Sequence, residues 1–218
     1  MARRRYALER GGPRRLEVRW RWRRRDMEVL LDGARVAGPF DRAAFERGAT
    51  FMLPDATTLT VRWVKPAWWT FSAGAELRVE RQGVPVPRSD GDPHVIGRRA
   101  ARVVGAFGML TFLFAVGWRF FAKPGVAQPG ALLGVAAEGL LLLFLALLGL
   151  FGLRFPILVA AILFGLNALA AVGFGLQEGS VPSPIGLFIQ IAVAIFLFRS
   201  WRRMKPLPPP VEVARIFE

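Results

Sequence analysis

Between residues 103 and 198 only Arg119, Lys123, Glu138, Arg154 and Glu178 carry charge, and the stretches between them are built mainly from Leu, Ala, Phe, Val, Ile and Gly. So few ionic groups cannot keep so long an apolar run in water. A bilayer accepts it, because a spanning helix needs ~20 mainly apolar residues and satisfies its own backbone groups. Four such stretches are read at about 100–121, 130–152, 155–177 and 183–200, separated by Pro, Gly or charged residues. The expected organisation is a β-rich domain over 1–95, a four-helix transmembrane bundle over 96–201 and a Pro-rich tail over 202–218.

The rest of the composition belongs to another solvent. Residues 1–99 hold 21 of the 30 Lys+Arg and 12 of the 16 Asp+Glu. The net charge of +14 would suit nucleic acid, and Arg19-Trp20-Arg21-Trp22-Arg23-Arg24-Arg25 interleaves cations with aromatics as single-strand binders do. Basic residues beside membrane segments are expected in any case from the positive-inside bias and from anionic lipid, so nucleic acid is set aside as a partner. Cysteine is absent, which excludes disulfides, thiol catalysis and thiolate metal sites.

In the first part, Leu16-Glu17-Val18-Arg19-Trp20-Arg21-Trp22-Arg23 alternates apolar and charged residues, the period of a strand with one buried face. Residues 28–31 and 34–37 flank Asp32-Gly33, which supplies the positive φ angles of a two-residue hairpin. Residues 59–64 are rich in β-formers. Residues 76–80 and 84–86 flank Arg81-Gln82-Gly83 as a second hairpin, and 68–71 is read as a strand between them. Residues 41–47 are read as one helical turn or loop, and 88–93 as a polar, solvated linker. Six to eight short strands predict an all-β sandwich or small barrel. The order of hairpins, with Val29-Leu30-Leu31-Asp32-Gly33 early and Glu76-Leu77-Arg78-Val79 before a Gly turn late, resembles the β domain of Fas apoptotic inhibitory molecules over roughly residues 14–87. The resemblance implies a β-sandwich interaction module without catalysis; the apolar half has no counterpart in that family.

Orientation is read from the helix ends. With the N-terminus inside, the cytoplasmic flanks carry Arg98, Arg99, Arg102, Arg154, Arg199, Arg202, Arg203 and Lys205, and the outer loops only Arg119 and Lys123. Both termini are therefore expected in the cytoplasm, and no apolar stretch follows the basic start to serve as a cleaved signal. Trp118, Trp201 and Arg199 are expected to anchor helix ends at the interface. Arg outnumbers Lys 27 to 3, the bias of a GC-rich genome, which makes a bacterial inner membrane the expected setting. Pro206-Leu207-Pro208-Pro209-Pro210 favours extended polyproline II, either a partner's ligand or a stiff terminus.

Chemistry has few places to reside. Each apolar stretch holds one uncharged polar or acidic residue of note, Thr111, Glu138, Asn167 and Gln190, and at ~1.5 Å of rise per residue the four lie at similar depth, roughly 10–16 Å from the outer surface. Small residues share their faces: Gly108 and Ala115 with Thr111, Ala131 and Gly134 with Glu138, Ala160, Ala170 and Ala171 with Asn167, Gly186 and Ala194 with Gln190. Such residues mark where membrane helices approach, so the polar groups are expected to face one another. An ionised acid there would cost ~2.5–3.5 kcal/mol, so Glu138 is expected to be uncharged and to donate a hydrogen bond to Asn167 or Gln190. It reads either as interhelical glue or as a proton or cation site. His94, the single histidine, stands near Asp90 and Asp92 in the linker, a poor metal site, and no cofactor or metal is expected. Gly173-Phe174-Gly175 ends a helix instead of following a strand, and neither a catalytic triad nor a phosphate loop is present. The sequence thus predicts a non-enzymatic membrane protein acting as scaffold or accessory subunit through its β domain, with a protein partner or a homo-oligomer as its associations beyond lipid. The alternative is a small oligomeric transporter or channel subunit using Glu138.

Overall fold

The computed structural model describes residues 1–21, 26–64, 76–121, 129–177 and 183–204. The strand read at 68–71, the Pro-rich tail, Lys123 and the Trp22-Arg23 end of the first alternating run lie outside them. Contacts divide the described chain into two units, one ending at Pro93 and the other running from His94 to Met204.

The first unit is all-β with one short helix. Strands β1 (Ala2–Tyr6), β2 (Leu16–Trp20), β3 (Met27–Leu31) and β4 (Ala34–Phe40) form one antiparallel sheet in sequence order. Helix α1 (Arg42–Arg47) follows, and β5 (Ala49–Met52), β6 (Thr58–Val64), β7 (Glu76–Arg81) and β8 (Val84–Pro85) form the second. Asp32 and Gly33 have φ of 51° and 86°, Gln82 and Gly83 φ of 51° and 76°, the left-handed pair that matches the twist of a tight hairpin. Asp41 accepts from Ala44 N at 2.7 Å and so caps α1.

Alternation sends one face of each sheet into a shared core. Leu16, Val18 and Val29 of the first sheet and Leu59, Val61, Leu77 and Val79 of the second are fully buried in it with Phe45 of α1. Trp20 meets Trp63 edge-on with ring centroids 5.6 Å apart. Two sheets closed over one core make a β sandwich. Strand β1 was not legible as a strand, since Arg3, Arg4 and Arg5 show no alternation. It pairs with β2 along its length, and Arg5 stands opposite Glu17 and donates to it at 2.8 Å. Glu17 also accepts from Arg19, and that hydrogen bond, ahead of the one from Arg5, holds its carboxyl below the usual range.

Tyr6 closes the core at the end of β1 with a buried hydroxyl that meets the Arg4 guanidinium without a hydrogen bond of full geometry among the described residues, and burial pushes its pKa up to about 12. A buried hydroxyl left without any partner costs about 1–3 kcal/mol, and one bonded as poorly as this recovers only part of that. Tyr6→Phe is therefore expected to raise the stability of this unit, by up to about 1 kcal/mol after loss of the weak Arg4 contact. Urea unfolding followed by far-UV circular dichroism reads it, and a lowered midpoint would show that the hydroxyl is bonded.

Residues 88–93 are not a solvated linker. Ser89, Asp90 and Asp92 are buried. The Asp90 carboxylate accepts from the Leu77 amide at 2.7 Å and from Arg4 Nη1 at 3.0 Å, and Asp92 accepts from the Arg88 amide at 2.8 Å. The turn-forming composition was read correctly as a turn. Its acids, however, serve backbone donors of the sandwich, as Asx side chains do.

The second unit holds four helices: α2 (Pro93–Phe121), α3 (Pro129–Leu150), α4 (Phe155–Gln177) and α5 (Pro184–Arg203). All four are long and apolar enough to cross a membrane, and no more than 33% of any span is buried inside the protein. Leu110, Phe114, Leu133, Phe144, Leu166, Leu169 and Ile185 are exposed, an apolar surface far beyond what a soluble monomer carries and of the kind that lipid covers. Helix α2 starts seven residues before the apolar stretch does, because Pro93 is preorganised for a first helical position and the polar first turns need no lipid. Helix α5 is capped by Ser183, whose hydroxyl accepts from Gly186 N at 3.4 Å. Gly152, with φ of 87°, closes α3, and its amide donates to Gly149 O at 3.0 Å.

Candidate intramembrane site

Three contacts set the register of the bundle. The Arg154 Nε, in the turn after α3, donates to the Trp201 carbonyl at 2.9 Å near the end of α5, and its guanidinium lies 4.5 Å from the Trp201 ring centroid. Asn167 lies thirteen residues beyond Arg154 and Gln190 eleven before Trp201, which at 1.5 Å per residue places them about 20 and 17 Å from that level. A Cβ on Gly149 would stand 2.8 Å from Ile157 Cδ1, so the ends of α3 and α4 face each other there. A Cβ on Gly139 would stand 2.7 Å from the Phe112 amide, which brings Glu138 and Thr111, the residues next to those two, to one level of α3 and α2.

At that level the Asn167 Nδ2 donates to Glu138 Oε1. Asn167 is one of the two partners expected for the acid, and Glu138 Oε1 is the acceptor in this contact. Both residues are half-buried. The Gln190 Oε1 is fully shielded and has no hydrogen-bond partner among the described residues. Thr111 is half-buried on α2, and no hydrogen bond joins it to the Glu138–Asn167 pair among the described residues. The structure thus brings two of the four polar residues into direct contact and leaves one acceptor open.

The packing faces differ in part from those read by spacing. Gly108 does lie in a seam: a Cβ there would meet the Gly139 carbonyl and the Leu143 amide, both at 2.9 Å, and Ala115 and Ala160 are buried. Gly134 faces open space, and Ala170 and Gly186 are exposed. The small residues of α3 that face α2 include Gly139, Ala146 and Gly149, against Gly108, Gly105 and Ala101. Gly139 adjoins the acid and was overlooked, although Gly108 and Gly139 are the small-residue pair that lets two backbones meet.

The interfacial residues lie at helix ends. Trp118 is 40% exposed and packs against Phe114 at 5.6 Å between centroids. Trp201 packs against Phe198 at 5.6 Å, and Arg199 is exposed beside it. Among the described residues no group of three or more His, Cys, Asp or Glu is placed to hold a metal ion.

Chemically, one carboxyl and two carboxamides can pass or hold a proton, or link helices. A path for ions would call for a broken helix or further charges as well. All four helices are unbroken over their described lengths. In comparisons with family models, with curated proteins and with solved structures, nothing matches the chain.

Proposed function

We propose that the protein is a membrane-anchored β-sandwich scaffold or accessory subunit without catalytic activity, in which the helices fix the sandwich at the bilayer and the sandwich binds a protein partner. The observation that carries this reading is the Glu138–Asn167 hydrogen bond: the acid of the four long apolar helices, over their described residues, is committed to a neighbouring helix, the use that interhelical polar groups have as glue. The resemblance of residues 14–87 to the β domain of Fas apoptotic inhibitory molecules, an interaction module, supports the same reading. The excess of Arg at one set of helix ends supports cytoplasmic termini in a bacterial inner membrane.

A second reading rests on the unpartnered Gln190 Oε1. An open acceptor within an apolar helix suits a proton or cation, and a small oligomeric transporter or channel subunit would use Glu138 in that way.

Two variants separate the readings. Glu138→Leu removes the acceptor and is expected to lower thermal stability in detergent by the equivalent of about 0.6–2 kcal/mol, whereas Glu138→Gln, still able to accept from Asn167, is expected to lower it less. Under the scaffold reading, vesicles holding the wild-type protein leak protons and alkali cations no faster than empty ones. A flux that Glu138→Gln abolishes at normal folded yield would overturn the scaffold reading in favour of transport.

A further inference from the structure

The outer face of the second sheet carries a cleft of about 280 Å³ lined by Arg47, Thr50, Thr60, Arg62, Arg78 and Glu80. We propose that this cleft binds a phosphate group. It goes beyond the scaffold reading and does not depend on it.

The register creates the cleft. Thr50 stands opposite Thr60 across β5 and β6, and their hydroxyls lie 3.0 Å apart. Arg62 stands opposite Arg78 across β6 and β7, and Thr60 opposite Glu80. Arg47, in the last turn of α1, adds a third guanidinium at the rim. The core-facing partners Leu59, Val61, Leu77 and Val79 point the other way, so alternation gathers the polar side chains on one surface.

Charge in the cleft is unbalanced. Like charges directly opposite on neighbouring strands destabilise a sheet, yet Arg62 and Arg78 occupy such a pair. Glu80 answers Arg78, Oε1 to Nε at 2.5 Å. Arg47 and Arg62 form no ion pair among the described residues, in contrast to Arg4, Arg5, Arg15, Arg19 and Arg81 of the same unit. Two guanidiniums and two hydroxyls around one hollow match a tetrahedral oxyanion, which takes forked N–H donors from Arg and single donors from Thr. Most pockets for larger ligands exceed ~300 Å³, so a phosphate with a small substituent fits better than an extended ligand. The group could belong to a soluble phosphate ester or to a phospholipid headgroup.

The test uses the full-length protein in phosphate-free maltoside micelles, titrated calorimetrically with inorganic phosphate at constant ionic strength held by chloride. One saturable site per chain is expected. Arg62→Gln and Arg47→Gln should each weaken it about tenfold or more, the weight of one charge-assisted hydrogen bond. Arg35→Gln, on the other sheet, should leave it unchanged. Circular dichroism of each variant checks that the sandwich is intact. Nanodiscs of phosphatidylcholine with and without phosphatidic acid then distinguish the sources: competition by phosphatidic acid assigns the site to a headgroup, and undiminished binding assigns it to a soluble phosphate. Absence of saturable binding, or equal weakening by Arg35→Gln and Arg62→Gln, would overturn the proposal.

Discussion

Replacing Gly139 with leucine should separate α2 from α3 and abolish most of the folded, monodisperse protein. The reason is steric. A Cβ at residue 139 would lie 2.7 Å from the Phe112 amide nitrogen and 2.9 Å from its Cα, and backbone cannot step aside as a side chain can. Relief requires moving one helix as a body, which would also open the Gly108 contact with the Gly139 carbonyl and the Leu143 amide. Overpacking costs about 1–3 kcal/mol for a few methylenes where neighbours can adjust, and more where they cannot. Alanine at 139 is expected to cost a few kcal/mol and leucine the fold of the bundle. Gly134→Ala on the same helix is the control: nothing lies within 4 Å of the new methyl, and replacing a helical glycine gains up to ~1 kcal/mol in propensity. Size-exclusion profiles after graded heating in detergent give the ranking. If Gly139→Leu survives heating as well as Gly134→Ala, the close approach of α2 and α3 is not a condition of the fold.

Asp90→Ala is expected to destabilise the sandwich by about 1–4 kcal/mol. The carboxylate is almost wholly shielded and holds the Leu77 amide at 2.7 Å, so its loss leaves a buried backbone donor without its partner, at about 1–3 kcal/mol. The bond from Arg4 is lost too, but that guanidinium is 46% exposed and water replaces its partner, which keeps this share small. Against the ~5–15 kcal/mol that separates folded from unfolded domains, the change is severe. Hydrogen exchange localises it, since the Leu77 amide should lose protection first. Asp90→Asn, which keeps an acceptor but no charge, should fall between. Equal midpoints for wild type and Asp90→Ala would mean that the Leu77 amide has another acceptor.

How far these features were readable in the chain depends on the range of the interactions that create them. Both tight hairpins were legible because Asp32-Gly33 and Gln82-Gly83 settle their own backbone angles locally. The four helices were legible because each is longer and more apolar than any soluble alternative needs. β1 was not, since three successive arginines become a strand only through pairing with β2 and the Glu17 opposite Arg5. β5 was not singled out either: its four residues, Ala-Thr-Phe-Met, are too few for a period. Asp90 and Asp92 look like any polar turn until Arg4 and Leu77, far away in sequence, arrive to be bonded. In the bundle, the spacing of Glu138 and Asn167 from their helix ends put the two at one level, and their side chains meet there. Which glycines face a neighbour and which face outward depends on helix rotation, and Gly134 and Gly139, five residues apart, fall on different sides of that division.

Arg154 has a consequence for how the chain is assembled. Its acceptor, the Trp201 carbonyl, is made forty-seven residues later, so a nascent chain that has completed the α3–α4 hairpin still carries a guanidinium awaiting its mate. Until the final helix docks, water or lipid headgroups hold the hairpin's charged tip in place of that carbonyl. A chain ending before residue 201 would keep that cation turned to solvent and lack the tie between the α3–α4 turn and α5.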